Sequence, residues 1–147
     1  MNFDFNRLYL TAGGRIGRQD YWIGAIALGV ASIVVTLIIS AIFPTTAERI
    51  VLFIWQLAIS YPAYNLLAKR FQDRDKPAMY AAIVVGIFIL ISLLTAFGAT
   101  GDPLAPNALA MIFGLVALAV GIWILVECGI LRGTVGQNQF GPDPVAA

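Results

Sequence analysis

Ala81-Ala82-Ile83-Val84-Val85-Gly86-Ile87-Phe88-Ile89-Leu90-Ile91 carries no polar side chain at any period. A helix on the surface of a water-soluble domain keeps a polar face, and this stretch has none. It lies inside an apolar run at 78–99, and three further runs, at 21–43, 49–68 and 108–131, fill most of the 147-residue chain. A helix rises about 1.5 Å per residue, so about 20 residues cross the roughly 30 Å hydrocarbon core of a bilayer. Each run is long enough to do so. The chain is 60% apolar and 12% charged, with a mean hydropathy of +0.86. Soluble domains hold roughly 45–50% apolar and about 25% charged residues. The expected fold is therefore all-α: a polytopic membrane protein with four transmembrane helices in a single domain over 1–147.

The cations alternate along the chain. Arg7, Arg15 and Arg18 precede the first run, and Arg49 flanks the first link. Lys69, Arg70, Arg74 and Lys76 crowd the second link, the third holds Asp102 and no cation, and Arg132 follows the last run. Cation-rich segments stay in the cytoplasm. The N-terminal segment 1–20, the second link and the tail 132–147 are thus expected inside, an N-in/C-in topology. The first run is too long for a signal peptide and follows a polar segment, so it is expected to remain in the protein. A net charge of +1 offers no field for nucleic acid, and no such partner is expected.

Local signals place the boundaries. Thr45 stands three residues before Glu48, the capping-box spacing that opens a helix. Asp75-Lys76-Pro77 offers a capping carboxylate and a first-turn proline to the third span. Gly98, Gly101, Pro103 and Pro106 break the chain before the fourth, which Asn107 can cap. Phe5, Leu8 and Tyr9 share one helical face, so the first segment reads equally as a short interfacial helix or as an ordered tail. Gly13-Gly14 ends it. Ala25/Gly29 and Ala117/Gly121 have the small-xxx-small spacing of close helix contacts.

Polar groups inside lipid each need a partner. Ser32, Thr36 and Ser40 are spaced to bond back to the carbonyl one turn earlier. Gln56, Ser60, Tyr61, Pro62, Tyr64 and Asn65 make the second span the least uniform. Pro62 is expected to kink it, and Gln56 is the candidate for a hydrogen bond between helices. Glu127, near the end of the fourth span, is expected to form an ion pair with Arg15, Arg18, Lys69 or Arg70. The alternative for it is a functional carboxylate.

Catalytic patterns are missing. The chain has no histidine and a single cysteine, Cys128, which removes the usual general base and any disulfide within the chain. No phosphate-binding glycine loop, nucleophile elbow or metalloprotease helix occurs. Catalytic, cofactor and metal sites are all expected to be absent.

Three stretches carry a resemblance. They are Gly14-Arg15-Ile16-Gly17-Arg18-Gln19-Asp20-Tyr21-Trp22, then Lys69-Arg70-Phe71-Gln72-Asp73, then Gly133-Thr134-Val135-Gly136-Gln137-Asn138-Gln139-Phe140-Gly141-Pro142-Asp143-Pro144. Together they resemble the DUF805 family of small bacterial inner-membrane proteins. Gly14, Arg15, Arg18, Tyr21 and Trp22 match its first motif. Its second usually reads Arg-Arg-Leu-His-Asp; Arg70 and Asp73 match, while Lys69 and Gln72 replace the first arginine and the histidine. Asn138, Gly141, Pro142 and Pro144 match the third, with Phe140 in a tyrosine's place. The resemblance implies a bacterial inner-membrane location and no particular activity.

All three stretches fall on the expected cytoplasmic face. That gathers Arg15, Arg18, Lys69, Arg70, Asp73 and Glu127, with Arg15 or Arg18 expected on Asp73 and the tail, with Gly136, Asn138, Gly141 and Pro142, folded across. The expected role is a non-enzymatic membrane module that scaffolds, senses, or binds anionic lipid, a membrane-protein partner or a second copy. The alternative is a small oligomeric transporter or channel subunit with a polar path near Gln56, Ser60, Pro62 and Glu127.

Overall fold

The structure, a computed structural model, describes residues 4–102 and 105–145, apart from the side chains of Thr45 and Asp102. A π-helical turn at Asn6–Leu10 precedes four long helices: α1 (Arg18–Ile42), α2 (Thr45–Asp73), α3 (Met79–Ala96) and α4 (Ala108–Ile124). The last continues as a π-helix over Leu125–Ile130. Two short strands, β1 (Gly101–Asp102) and β2 (Ala105–Pro106), pair antiparallel between α3 and α4. All four helices, counting α4 with its π-helical end, are long and apolar enough to cross a membrane. Ile26, Val30, Ile33 and Leu37 line one outer face of α1, each more than half exposed. Water penalises such faces when they are contiguous, and lipid matches them.

Several boundaries differ from the expectation. Thr45 opens α2 behind Pro44 as the capping position, so Thr45 is a helical residue and not the cap; its side chain lies outside the described residues. Glu48 takes another partner, accepting from Ser40 Oγ at 2.5 Å. Ser40 therefore bonds forward to the next helix instead of back to its own. Pro62 stays inside a continuous α2. That helix runs on to Asp73, so Lys69 and Arg70 belong to it and not to a link. Their charges meet partners in the fold, and the helix need not stop where the apolar run stops. Asp75 takes a left-handed backbone, φ 58°, and Ala78 is the residue before α3. Asp75-Lys76-Pro77 is thus the turn itself, closed by the amides of Arg74 and Lys76 on the Phe71 carbonyl. Asn107 does cap α4, its Oδ1 accepting from Ala110 N at 3.0 Å. Pro103 lies outside the described residues.

The buried core sits at one end of the bundle, where α1 and α3 begin and α2 and α4 finish. Leu8, Tyr9, Ile16, Tyr21, Leu66, Phe71, Val84 and Cys128 belong to it. Phe71 packs on Tyr80 and Trp123 with ring centroids 5.7 and 5.4 Å apart. The opposite end has sparser polar ties, Arg49 to the Gly101 carbonyl at 3.1 Å and Asn107 to the Ala99 carbonyl at 2.8 Å. The small-residue pairs do not mark the close contacts. A Cβ on Gly29 or Gly121 would meet nothing within 4 Å. Between α1 and α2 a tight approach is at Gly24, where a Cβ would lie 2.7 Å from Leu66 Cδ1.

Candidate functional site, the charged end of the bundle

The second half of α2 organises this end through two stripes of side chains. Tyr61, Asn65 and Lys69 recur at spacing four and so share a face. Each donates to a carbonyl of the N-terminal turn: Tyr61 to Leu10 at 3.1 Å, Asn65 to Tyr9 at 2.6 Å, and Lys69 to Arg7. The last carbonyls of a helix lack partners within it, and α2 supplies them here. The turn is thereby docked on α2, with Leu8 and Tyr9 buried and Phe5 exposed. Of the two readings open for this segment, a short interfacial helix or an ordered tail, the structure has a short helical turn packed against protein. Tyr9 adds a bond from its hydroxyl to the Gly24 carbonyl at 2.9 Å, and burial pushes its phenol above the ordinary range.

The second stripe centres on Asp73. Arg15 Nε donates to Asp73 Oδ1 at 3.0 Å, and Arg70 donates to Oδ2 from the other side. All three side chains are nearly inaccessible to solvent. Buried charges of this kind need further hydrogen bonds besides the ion pair, and here backbone carbonyls supply them. Arg15 also donates to the carbonyls of Thr134 at 2.6 Å, Gly136 at 2.7 Å and Gly141 at 3.1 Å. Arg70 donates to Cys128 at 2.6 Å and Leu131 at 2.5 Å.

The end of the fourth span is finished by the same chemistry. The carbonyls of Cys128, Gly129, Ile130, Leu131 and Arg132 accept from Arg70, Trp22, Arg18, Arg70 and Arg74 respectively. Cations at a helix C-terminus also meet the negative end of its dipole. Trp22 Nε1 reaches the Gly129 carbonyl at 3.1 Å, and its ring packs close to the glycine. A Cβ at 129 would stand 2.8 Å from Trp22 Cζ2. Gly129→Ala is therefore expected to cost about 1–3 kcal/mol through overpacking. Gly121→Ala, facing open space, should stay within about 1 kcal/mol of the parent. Thermal unfolding in detergent compares the two.

Glu127 is paired, but not with the residues expected. Its Oε1 accepts from Arg74 Nε at 3.0 Å and Lys76 Nζ at 2.7 Å. Arg15 and Arg70 are committed to Asp73, Lys69 to the N-terminal turn and Arg18 to Ile130. The turn after α2 brings Arg74 and Lys76 to the carboxylate instead. Gln56 is also placed differently. Its amide reaches Ser60 Oγ at 3.4 Å within α2, and Ser60 donates back to the Gln56 carbonyl at 2.6 Å. It makes no bond between helices among the described residues.

The tail closes over Asp73. Thr134 donates to the Asp73 carbonyl from both its amide, at 2.8 Å, and its hydroxyl, at 3.1 Å. Asn138 Nδ2 holds the Gln72 carbonyl at 2.8 Å. Gly136 and Gly141 take positive φ, 77° and 137°, which fits glycine to these turns. Pro142 is exposed beside the bridge that joins Asn138 and Gly141. Asp143 pins the turn, accepting from the amides of Gly136 at 3.1 Å and Val145 at 3.0 Å. Those amides hold its carboxyl below the ordinary 3.8. A depressed folded pKa stabilises above the unfolded value, and that contribution is lost as pH falls through the folded one. Protection of the Gly136 amide should thus be constant above about pH 5, one unit clear of an ordinary aspartate, and decline below pH 3.8. Asp143→Asn should remove that pH dependence; amide exchange followed by NMR in micelles checks both.

Gly133, Thr134 and Asp143 carry much of this arrangement, yet the sequence marked them only as parts of a resemblance. Nothing in their identity reveals which carbonyl or carboxylate they meet.

The uncharacterized protein YiiR of Escherichia coli strain K12 is 26% identical over 135 residues, covering 88% of this chain and 83% of its own. YiiR of Escherichia coli O157:H7 matches to the same extent. No solved structure matches the chain. The family model for proteins of unknown function DUF805 matches residues 9–142, a span from the docked Tyr9 to the tail bridge. The chain belongs to the DUF805 family.

Proposed function

We propose that this protein is a non-enzymatic binding module of the bacterial inner membrane, with both termini in the cytoplasm and the charged end as its working surface. Its partners would be a membrane protein, a second copy or anionic lipid. The observation that carries the reading is the closure of that end by Arg15, Asp73 and Arg70. Three segments distant in sequence are fixed there into one rigid surface. Asp73 and Glu127 are each held by two cations. The concentration of cations at this end supports its cytoplasmic placement.

One observation favours a transporter subunit. A cavity of about 250 Å³ lies between the four helices, with Gln56 and Ser60 on its wall. Its remaining lining is apolar apart from Tyr21, and Glu127 is paired away from it. That composition supports lipid or helix packing over an aqueous path.

A photo-crosslinking side chain at the exposed Val135 tests the proposal in intact membranes. It should trap a partner in higher yield than one at Ala105, near the opposite end. Equal yields, or solute flux through liposomes holding the folded protein, would overturn the reading.

A further inference from the structure

The cavity of about 250 Å³ between the four helices lies within their membrane-capable lengths. Along α2 it runs from Leu67 to Gln56, a rise of about 16 Å, so it is a slot parallel to the helix axes. Ala25, Leu28, Gln56, Ala63, Val85 and Phe88 on its wall are only half-buried. The slot therefore opens sideways, and in a bilayer it opens onto lipid. An apolar cavity of about 150 Å³ stays dry and takes up benzene, and on that scale this one has room for about ten carbons.

The polar groups of the slot are not equally placed. Ser60 donates to the Gln56 carbonyl at 2.6 Å and the Gln56 amide reaches Ser60 at 3.4 Å, so these two answer each other at mid-span. Tyr21, at the end of the slot nearest the charged cluster, lacks that relief. It is 6% exposed, and its hydroxyl makes no hydrogen bond among the described residues. Arg70 and the Cys128 thiol bear on it electrostatically, but a guanidinium only donates and the thiol takes no bond from it. A buried tyrosine hydroxyl ordinarily finds an acceptor, and hydrocarbon offers none.

Depth identifies the missing acceptor. Arg18 opens α1, and a cation at the end of a span sits among the headgroups. Tyr21 is three residues further in, about 4.5 Å along the helix. The ester carbonyls of glycerolipids lie at that level. Each is an acceptor with no donor of its own, and each heads a hydrocarbon chain.

We propose that the slot holds one acyl chain of a glycerolipid, its ester carbonyl accepting from the Tyr21 hydroxyl and its chain running along α2 toward Gln56. The site lies apart from the charged surface and needs only the four membrane-crossing helices. A free fatty acid or a quinone, which also joins a carbonyl to a chain, is the competing occupant.

The test places the protein in liposomes of diether phosphatidylcholine, which has no ester carbonyl. A trace of phosphatidylcholine carrying a photoactivatable diazirine in one chain is added, with that chain either ester- or ether-linked, and labelled residues are mapped by mass spectrometry. At Leu28, Ser60 and Phe88 the ester probe should label about fivefold more than the ether probe, the preference one neutral hydrogen bond supplies. At the outward-facing Ile26 and Leu37 the two should label equally. Tyr21→Phe, which breaks no internal hydrogen bond, should abolish the preference in the slot. Ala63→Leu, which fills the slot, should lower labelling there by both probes and leave Ile26 and Leu37 unchanged. Slot labelling by neither probe, equal labelling by both in the parent, a preference that survives Tyr21→Phe, or slot labelling undiminished in Ala63→Leu would overturn the site. Displacement of the ester probe by decanoic acid or decylubiquinone at the probe's own mole fraction would overturn the glycerolipid assignment.

Discussion

Asp73→Ala is expected to cost about 3–5 kcal/mol, because it leaves two buried guanidiniums without their shared carboxylate. Arg70 is fully buried and Arg15 only 6% exposed, so solvent cannot replace the lost anion. The remaining carbonyl acceptors satisfy hydrogen bonds but not charge. Asp73→Asn should fall between the parent and alanine, since it keeps the oxygen and loses the charge. Chemical denaturation in micelles measures the loss, and a change under about 1 kcal/mol, the ordinary size of an exposed ion pair, would show that the triad is not a structural centre.

The second large effect is expected at Gly133→Ala. A Cβ there would stand 1.9 Å from Asp73 Oδ2 and 2.4 Å from its Cγ. The carboxylate cannot retreat, because Arg15 and Arg70 hold it from two sides. The backbone at 133 must move instead, which breaks the two bonds from Thr134 to Asp73. The tail should lift from the bundle while the four helices stay folded. Limited trypsin cleavage after Arg132 should accelerate at least about tenfold, the equivalent of about 1.4 kcal/mol of docking free energy. An unchanged cleavage rate would mean that the tail does not seat on Asp73 through this contact.

The four helices were legible because lipid imposes a composition that few other structures share. The stretch at 81–91 decided the class on its own. The position of the polar residues was not legible in the same way. Asn65 looked like a group needing an account inside lipid, and the account is a carbonyl of Tyr9, 56 residues away. Glu127 was readable as half of an ion pair, yet its partners depended on the left-handed turn at Asp75. Hydrophobic periodicity carries no trace of that turn. The end of α2 was misplaced for a related reason. Charge marks the limit of an apolar run, but a helix continues wherever each charge meets a partner. Ser40 shows the converse, since its local bonding pattern was sound and a carboxylate on the next helix outcompeted it. The resemblance motifs gathered the right segments, and only the geometry shows that Arg15 and not Arg18 takes Asp73.

The tail and the N-terminal arm are locked onto α2 at the charged end. Hydrogen–deuterium exchange on the protein in lipid nanodiscs is the decisive measurement of this lock. Peptides covering residues 133–141 should exchange at least about a hundredfold more slowly than an unstructured chain, a protection of about 2.7 kcal/mol, and Asp73→Ala should erase most of that protection. Exchange of these peptides at the unstructured rate in the parent protein would contradict the lock.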